Sequence, residues 1–199
     1  FPVVQIDNGL EFPDTSQFME EIAGAWKLDL IIARSSVSRL ETSEAICCGV
    51  NKIDALKTLT AQKGLSTLMI AIRKDEHNAR ADAREFSSRD AEWNPIPGMP
   101  TETTPHVRVH PLLVWTELDV WRYIQQEDIP INPLYLSVNG LRYRSLGCTQ
   151  CSSPISSTAC NPSEIVEELT ANTASERSGR LQAKEEEEEM QNLRSLGYM

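Results

Sequence analysis

Cationic side chains are in deficit here. The 199 residues hold 19 Lys and Arg against 29 Asp and Glu, with three His, for a formal net charge of −10. That balance argues against non-specific wrapping of a nucleic-acid backbone, because such binding depends on Lys and Arg replacing counterions. No run of about 18 apolar residues occurs, so nothing in the sequence reads as a membrane span. The opening "FPVVQIDNGLEFP" has neither a basic n-region nor an apolar h-region, so no secretory signal is visible and a cytoplasmic location is expected. It begins abruptly, like the middle of a strand, and a portion ahead of Phe1 is expected. G-x-S-x-G, H-E-x-x-H and G-x-x-x-x-G-K-[ST] are all absent, and His77, His106 and His110 do not sit at metal spacing. Cysteine is sparse too. Five without a signal peptide do not read as a disulfide framework, which leaves metal or redox chemistry.

What is present fits an ordinary globular chain. Apolar residues make up 40% and charged residues 24%, and the length suits one domain with a helical extension. "PVVQID" reads as a buried strand leading into a turn at Asn8-Gly9. "FPDTSQFMEEIAGAW" reads as a helix started by Pro13 and Asp14, and "LDLIIAR" as a second strand. "KIDALKTLTAQKG" is a helix closed by Gly64, and "STLMIAI" a third strand. This alternation predicts an α/β fold, a parallel sheet flanked by helices, over residues 1–160. After a Pro- and Gly-rich loop, "VRVHPLL" resumes as a strand or extended segment. "WTELDVWRYIQQED" is a helix with Thr116 as N-cap and Asp119 three residues on. Asn161 caps before Pro162, and residues 161–199 read as a C-terminal helical tail. The acidic run at 184–190 reads as a solvated helix face, with a docking tail as the alternative.

Ligands of parallel sheets bind at the carboxyl ends of the strands. Three polar clusters fall there: Ile6 to Gly9 with Asp7 and Asn8, Ile72 to Arg80, and Val109 to Leu112. Arg73, Lys74 and Arg80 would suit a phosphate or sulfate, because guanidinium groups meet such oxyanions bidentately. The competing reading is a loop salt-bridged by Asp75 and Glu76. Cys47-Cys48 and the C-x-x-C of Cys148 and Cys151 supply four thiolates from two distant segments. Tetrathiolate sites hold zinc or an iron–sulfur cluster, and a directly adjacent pair is unusual for zinc. The alternative makes Cys47 and Cys48 small buried hydrophobes. Cys160 is left over, beside Asn-Pro.

These residues resemble the phosphoadenosine-phosphosulfate reductase family of adenine nucleotide α-hydrolase-like, Rossmann-like folds over nearly the whole chain. "IRKDEHNARADAREFSSRD", "VHPLLVWTELDVWRYIQQEDIPINPLYL", "SLGC", "SEIVEELTANTASERSGR" and the closing "LGYM" look like the small, ATP-binding subunit of bacterial sulfate adenylyltransferase. The cysteine pattern looks like the other branch, the adenylyl-sulfate reductases that carry a [4Fe–4S] cluster. Those have a Cys-Cys pair, a Lys four residues later and a C-x-x-C, here Cys47, Cys48, Lys52, Cys148 and Cys151. The resemblance implies that Lys52 couples the cluster electrostatically to an anionic substrate. Arg177 and Arg180 of "SERSGR" resemble that branch's phosphosulfate-binding pair, at a different distance from the C-x-x-C. Two departures stand out. The reductases' C-terminal E-C-G-L-H motif is absent, and so is the S-G-G-K-D-S-type loop that cradles pyrophosphate in this family.

The resemblance implies an adenine nucleotide as ligand, ATP or adenylyl sulfate, with Mg²⁺. The first expectation is ATP-dependent adenylyl transfer with pyrophosphate release. Arg73, Lys74, Arg177 and Arg180 would then neutralise phosphate charge. Three alternatives accompany it: a cluster-bearing reductase of adenylyl sulfate or its 3′-phosphorylated form, an ATP pyrophosphatase of sulfur insertion into nucleic acid, and a non-catalytic regulatory subunit. Partners implied are a GTPase large subunit or thioredoxin, in a homo- or hetero-oligomer.

Overall fold

A computed structural model describes residues 1–7, 9–34, 44–76, 80–89, 104–171 and 176, with the backbone alone over 44–50. β1 (Val3–Asp7) and β2 (Leu30–Arg34) are parallel, paired from Val3 with Leu30 to Asp7 with Arg34. The crossover between them is α1 (Pro13–Trp26), which opens on a proline whose missing N–H would have had no helical partner there. It closes at Lys27, which is left-handed with φ 52°, and whose amide donates to the Gly24 carbonyl at 3.3 Å. α2 (Glu44–Lys63) ends before Gly64, where φ 61° favours glycine. It lays Ala55 and Leu59 onto Ala33 of β2, with Val4, Ile6, Ile31 and Leu65 around them. The sequence predicts this helix only from Lys52. Its earlier start at Glu44 passes through Gly49, a residue that costs about 1 kcal/mol in a helix interior and so masks the signal.

β3 (Thr67–Met69) runs parallel to β5 (His106–Val109), and β4 (Phe86–Arg89) lies antiparallel on the other side of β5. The expected α/β class therefore holds, with parallel pairing in both β1–β2 and β3–β5. The antiparallel β4 was not anticipated from the sequence. Its "FSSR" lacks the apolar alternation that marks a strand, and its partner is fixed only by the long-range pairing.

α3 (Glu117–Glu127) has the anticipated cap. Thr116 Oγ1 accepts the Asp119 amide at 3.1 Å, and the Asp119 carboxylate accepts the Thr116 amide at 2.9 Å. β6 (Leu141–Arg142) and β7 (Ile155–Ser156) form a short antiparallel pair. α4 (Pro162–Ala171) follows Asn161, whose Oδ1 accepts the Glu164 amide at 3.0 Å. α4 packs on α3 through Trp121, Ala159 and the fully buried Ile165. The buried Arg142 reaches across from β6 to Glu168 of α4 at 2.6 Å. Among the described residues no helix is long and apolar enough to cross a membrane.

Two substitutions separate cap from core. Thr116→Ala is expected to cost about 1 kcal/mol, and Ile165→Ala roughly 2–5 kcal/mol, both read by urea denaturation. Equal costs would contradict this division.

Candidate functional site

At the end of β1, Asp7 accepts the Gly9 amide at 2.7 Å and pairs with Arg34, the last residue of β2, at 2.9 Å. Gly9 has φ 71°, as the turn requires; Asn8 lies outside the described residues. The next residue, Leu10, meets the other distant segment. Its carbonyl accepts the Thr149 amide at 2.9 Å, which pins the C-x-x-C turn to the loop after β1. Cys148 and Cys151 are both buried there, with Leu10 packed against them. The Cys148 amide donates to Cys151 Sγ at 3.2 Å, and the Cys148 carbonyl accepts the Cys151 and Ser152 amides. Such a turn presents sulfur to a metal with N–H groups directed at it. Among the described residues no group of three or more Cys, His, Asp and Glu gathers at metal-binding distance. Cys47 and Cys48 lie in α2, and their side chains are outside the described residues.

The loop after β3 is built around Arg73. This guanidinium is buried, and its Nε donates to Asp75 at 3.0 Å, while Nη1 lies 3.7 Å from Glu76 and Nη2 is hydrogen-bonded to Glu176. Burial works against the Arg73 charge, but Glu176, Asp75 and Glu76 outweigh it and raise its pKa. Glu76 also pairs with the buried Arg80. The ion pairs of the salt-bridged reading are thus present. Asp75 also serves the neighbouring helix, because its other oxygen accepts the Glu117 amide at 2.6 Å, in the first turn of α3. Lys74 is exposed, and its amide donates to the Leu113 carbonyl at 3.0 Å. Arg177 and Arg180 lie outside the described residues, but Glu176 brings the chain just before them against Arg73.

Around this contact is a cavity of about 240 Å³. Arg73, Glu176, Glu117 and Arg144 form its charged side, and Trp121 and Tyr135 are on its apolar side. Arg144 holds Glu117 with Nε at 2.9 Å and Nη2 at 2.7 Å. Burial pushes the Glu176 carboxyl up to about 7; Arg73 pulls it down, while Glu117 and Glu76 push it further up. A second cavity, about 190 Å³, runs along α2 below β5 and brings together two of the anticipated residues, Lys52 and Arg80. Sequence reasoning singled out neither Glu117 nor Glu176. Arg144 sits in the basic stretch "LRYR" and His106 and Arg108 in "HVRVH", two of the few places where the cations cluster, and the spacing of two puts His106 and Arg108 on one face of β5.

The α/β domain carries polar loops after β1 and β3, and in open α/β sheets ligands bind outside the carboxyl ends of the strands. The chain belongs to the phosphoadenosine phosphosulfate reductase domain family, whose model matches residues 1–154. It is similar to sulfate adenylyltransferase subunit 2 of Trichlorobacter lovleyi, at 30% identity over all of this chain and 81% of that protein. The protein of the same name from Pseudoalteromonas translucida is 28% identical over all of this chain and 82% of its own length. Candida glabrata FMN adenylyltransferase with FAD and inorganic pyrophosphate shares the fold, with a TM-score of 0.56 and 22% identity. That match covers 77% of this chain, which spans 45% of the solved one. The same enzyme with ATP gives a TM-score of 0.57 at 18% identity, over 91% of this chain and 69% of that one.

Glu176 makes stability depend on pH. Its folded value of about 7 exceeds the ordinary 4.5, so the folded protein keeps a proton that the unfolded chain has lost. That contribution is complete below about 4.5 and is lost as pH rises to about 7. Glu176→Gln removes the dependence. Across that range the variant is expected to gain on the parent by roughly 2–3 kcal/mol at most in urea titrations. Parallel pH profiles would contradict a buried, crowded carboxylate.

Proposed function

We propose that this chain is a cytoplasmic, ATP-using adenylyl-transfer enzyme of sulfur metabolism that works with a second subunit, like the sulfate adenylyltransferase subunit 2 proteins it resembles. The observation that carries this reading is the similarity to those proteins along the entire chain. A sulfur-linked oxyanion attacks the α-phosphorus of ATP, the bond to the bridging oxygen breaks, and pyrophosphate leaves. Arg73, Lys74, Arg177 and Arg180 neutralise the charge that builds on the phosphates, with Mg²⁺ as the natural counter-ion. Arg73 is held by Glu176, so an incoming phosphate takes the place of that carboxylate. Asp7 and Gly9 bound the nucleotide at the end of β1. A GTPase large subunit fits the transferase reading, and thioredoxin the reductase reading.

The donor set of Cys148 and Cys151 fits an iron–sulfur centre: two buried thiols in a turn with an amide directed at sulfur, pinned to the loop after β1. Cys47 and Cys48 would complete a [4Fe–4S] ligand set, and the cluster would supply a local charge or an electron to the neighbouring site. Lys52, which follows that pair in α2, would balance charge between the thiolates and the anionic substrate. This quartet is the feature that favours the second reading, a reductase of adenylyl sulfate.

Pyrophosphate release from ATP is expected to require sulfate and to fall about 100-fold in Arg73→Ala. Sulfite release from adenylyl sulfate with a dithiol, without sulfate-dependent pyrophosphate release, would replace the transferase with the reductase. Anaerobically purified protein is expected to show a visible absorption band with matching iron and sulfide, lost in Cys148→Ser. A colourless, iron-free parent protein would remove the cluster.

A further inference from the structure

The cavity beside Arg73 holds more charge than the adenylyl-transfer reading uses. Four carboxylates, Asp75, Glu76, Glu117 and Glu176, meet three guanidiniums, Arg73, Arg80 and Arg144, in one bonded network. With every group ionised, the anionic side is in excess by one. A further acceptor on Arg80 or Arg144 leaves that excess no smaller. Glu176 shows where the excess falls. Its side chain is 15% exposed and bonded to Arg73, yet its carboxyl holds a proton up to about 7. Burial is the first cause, and the nearby Glu117 and Glu76 add to it. A phosphate answers Arg73 but does nothing for this crowded carboxyl. Its complement is a cation.

The remaining wall decides which cation. Phe18 of α1, Val120 and Ile124 of α3, Ile131, and the rings of Trp121 and Tyr135 line the cavity, the two rings 5.7 Å apart and inclined at 82°. Asn132 is turned elsewhere: its Nδ2 donates to Thr15 Oγ1 at 3.0 Å, and its Oδ1 accepts the Leu134 amide at 3.0 Å. Among the described residues no group of three metal-ligating side chains gathers here. A hydrated inorganic cation would exchange water for walls with too few oxygens to replace it. An organic ammonium loses far less. Its N–H groups meet the carboxylates, its stem meets the aliphatic side chains, and aromatic faces attract cationic heads. A volume of about 240 Å³ has room for roughly eight molecules of liquid water, which suits an ammonium on a short branched stem.

We propose that the cavity between α1, α3 and the loop after β3 binds a protonated primary amine with a short apolar stem, its ammonium between Glu176 and Glu117 and its stem along Ile124, Ile131 and Trp121. Glu176 gives up its proton to water as the ammonium enters, while the amine stays charged. That exchange sets a sign. Below about 7 close to one proton leaves per amine bound, so affinity rises with pH; above it Glu176 is already ionised and affinity levels off. The charged groups facing Glu176 are Arg73 and Glu76 from the loop after β3, Glu117 from α3 and Arg144 from the stretch after β6. Phe18 and residues 130–135 bring no charge. Glu76 and Glu117 reinforce the direction, and the guanidiniums hold a constant charge.

Calorimetric titration of the full chain with 3-methylbutylamine near pH 6 tests the site. Leucinamide forms the second arm, because it presents the same stem as the N-terminus of a peptide would. An alkylammonium titrates near ~10 and an α-ammonium near ~8, so both are cations there. Saturable binding is expected, and roughly tenfold or more weaker for 3-methylbutanol, which lacks the charge, and for methylammonium, which lacks the stem. Measured in two buffers of different ionisation heat, binding should release close to one proton, and Glu176→Gln should abolish that release. The arm that binds more tightly identifies the source of the amine. No saturable binding of either amine, equal binding of the alcohol or of methylammonium, or proton release that survives in Glu176→Gln would overturn the proposal. No nucleotide takes part in this readout. Its failure leaves the adenylyl-transfer reading standing, and failure of pyrophosphate release leaves the amine site standing.

Discussion

The carboxylate of Asp75 bridges two parts of the chain. One oxygen orients the Arg73 guanidinium and the other accepts the first-turn amide of α3. The loop leaving β3 and the helix after β5 are thereby fixed to each other across a sequence separation of 42. Everything on the far side of α3 inherits that placement. Glu117 is set to receive Arg144, Trp121 is set to pack on Ile165, and α4 is carried with it. Charge-assisted hydrogen bonds of this kind are strong because the partners are ionised, and the buried Arg73 guanidinium left alone would be costly.

The charge pattern gains meaning from this arrangement. The excess of acidic residues is not spread evenly: Asp75, Glu76, Glu117 and Glu176 are gathered around Arg73, Arg80 and Arg144. On this side the cations are matched by carboxylates within hydrogen-bond reach. Along α2 and β5, Lys52, Lys57 and Arg108 line a second cavity together with aliphatic side chains. The two regions meet at Arg80, which lines the second cavity and pairs with Glu76.

How much of this was readable in the sequence depends on the range over which each feature is encoded. Thr116 with Asp119, Asn161 before Pro162 and Gly64 after α2 are local signals, and each sits where the local chemistry put it. The β1–α1–β2 unit followed from an apolar run, a proline start and a second apolar run. β4 was not readable, because nothing in Phe86–Arg89 calls for a strand except β5. Nor was the fate of Arg73: two of its carboxylates are within three residues, but Glu176 is 103 residues away. Of the cysteine quartet, the C-x-x-C turn and its burial are visible, and its attachment to Leu10 is the long-range contact that spacing alone could not supply.

α4 has one further effect, through the short stretch that leaves it. The helix packs on α3 through Ile165, Val166 and Leu169 and ends at Ala171, and Glu176 already touches Arg73. Five peptide links can reach no more than about 17 Å. A carboxylate released from Arg73 therefore stays within a small sphere, at an effective concentration in the millimolar range or above. Any dissolved anion that would occupy Arg73 competes against a leashed rival, so modest anions are screened out and only a ligand with additional anchoring points displaces it.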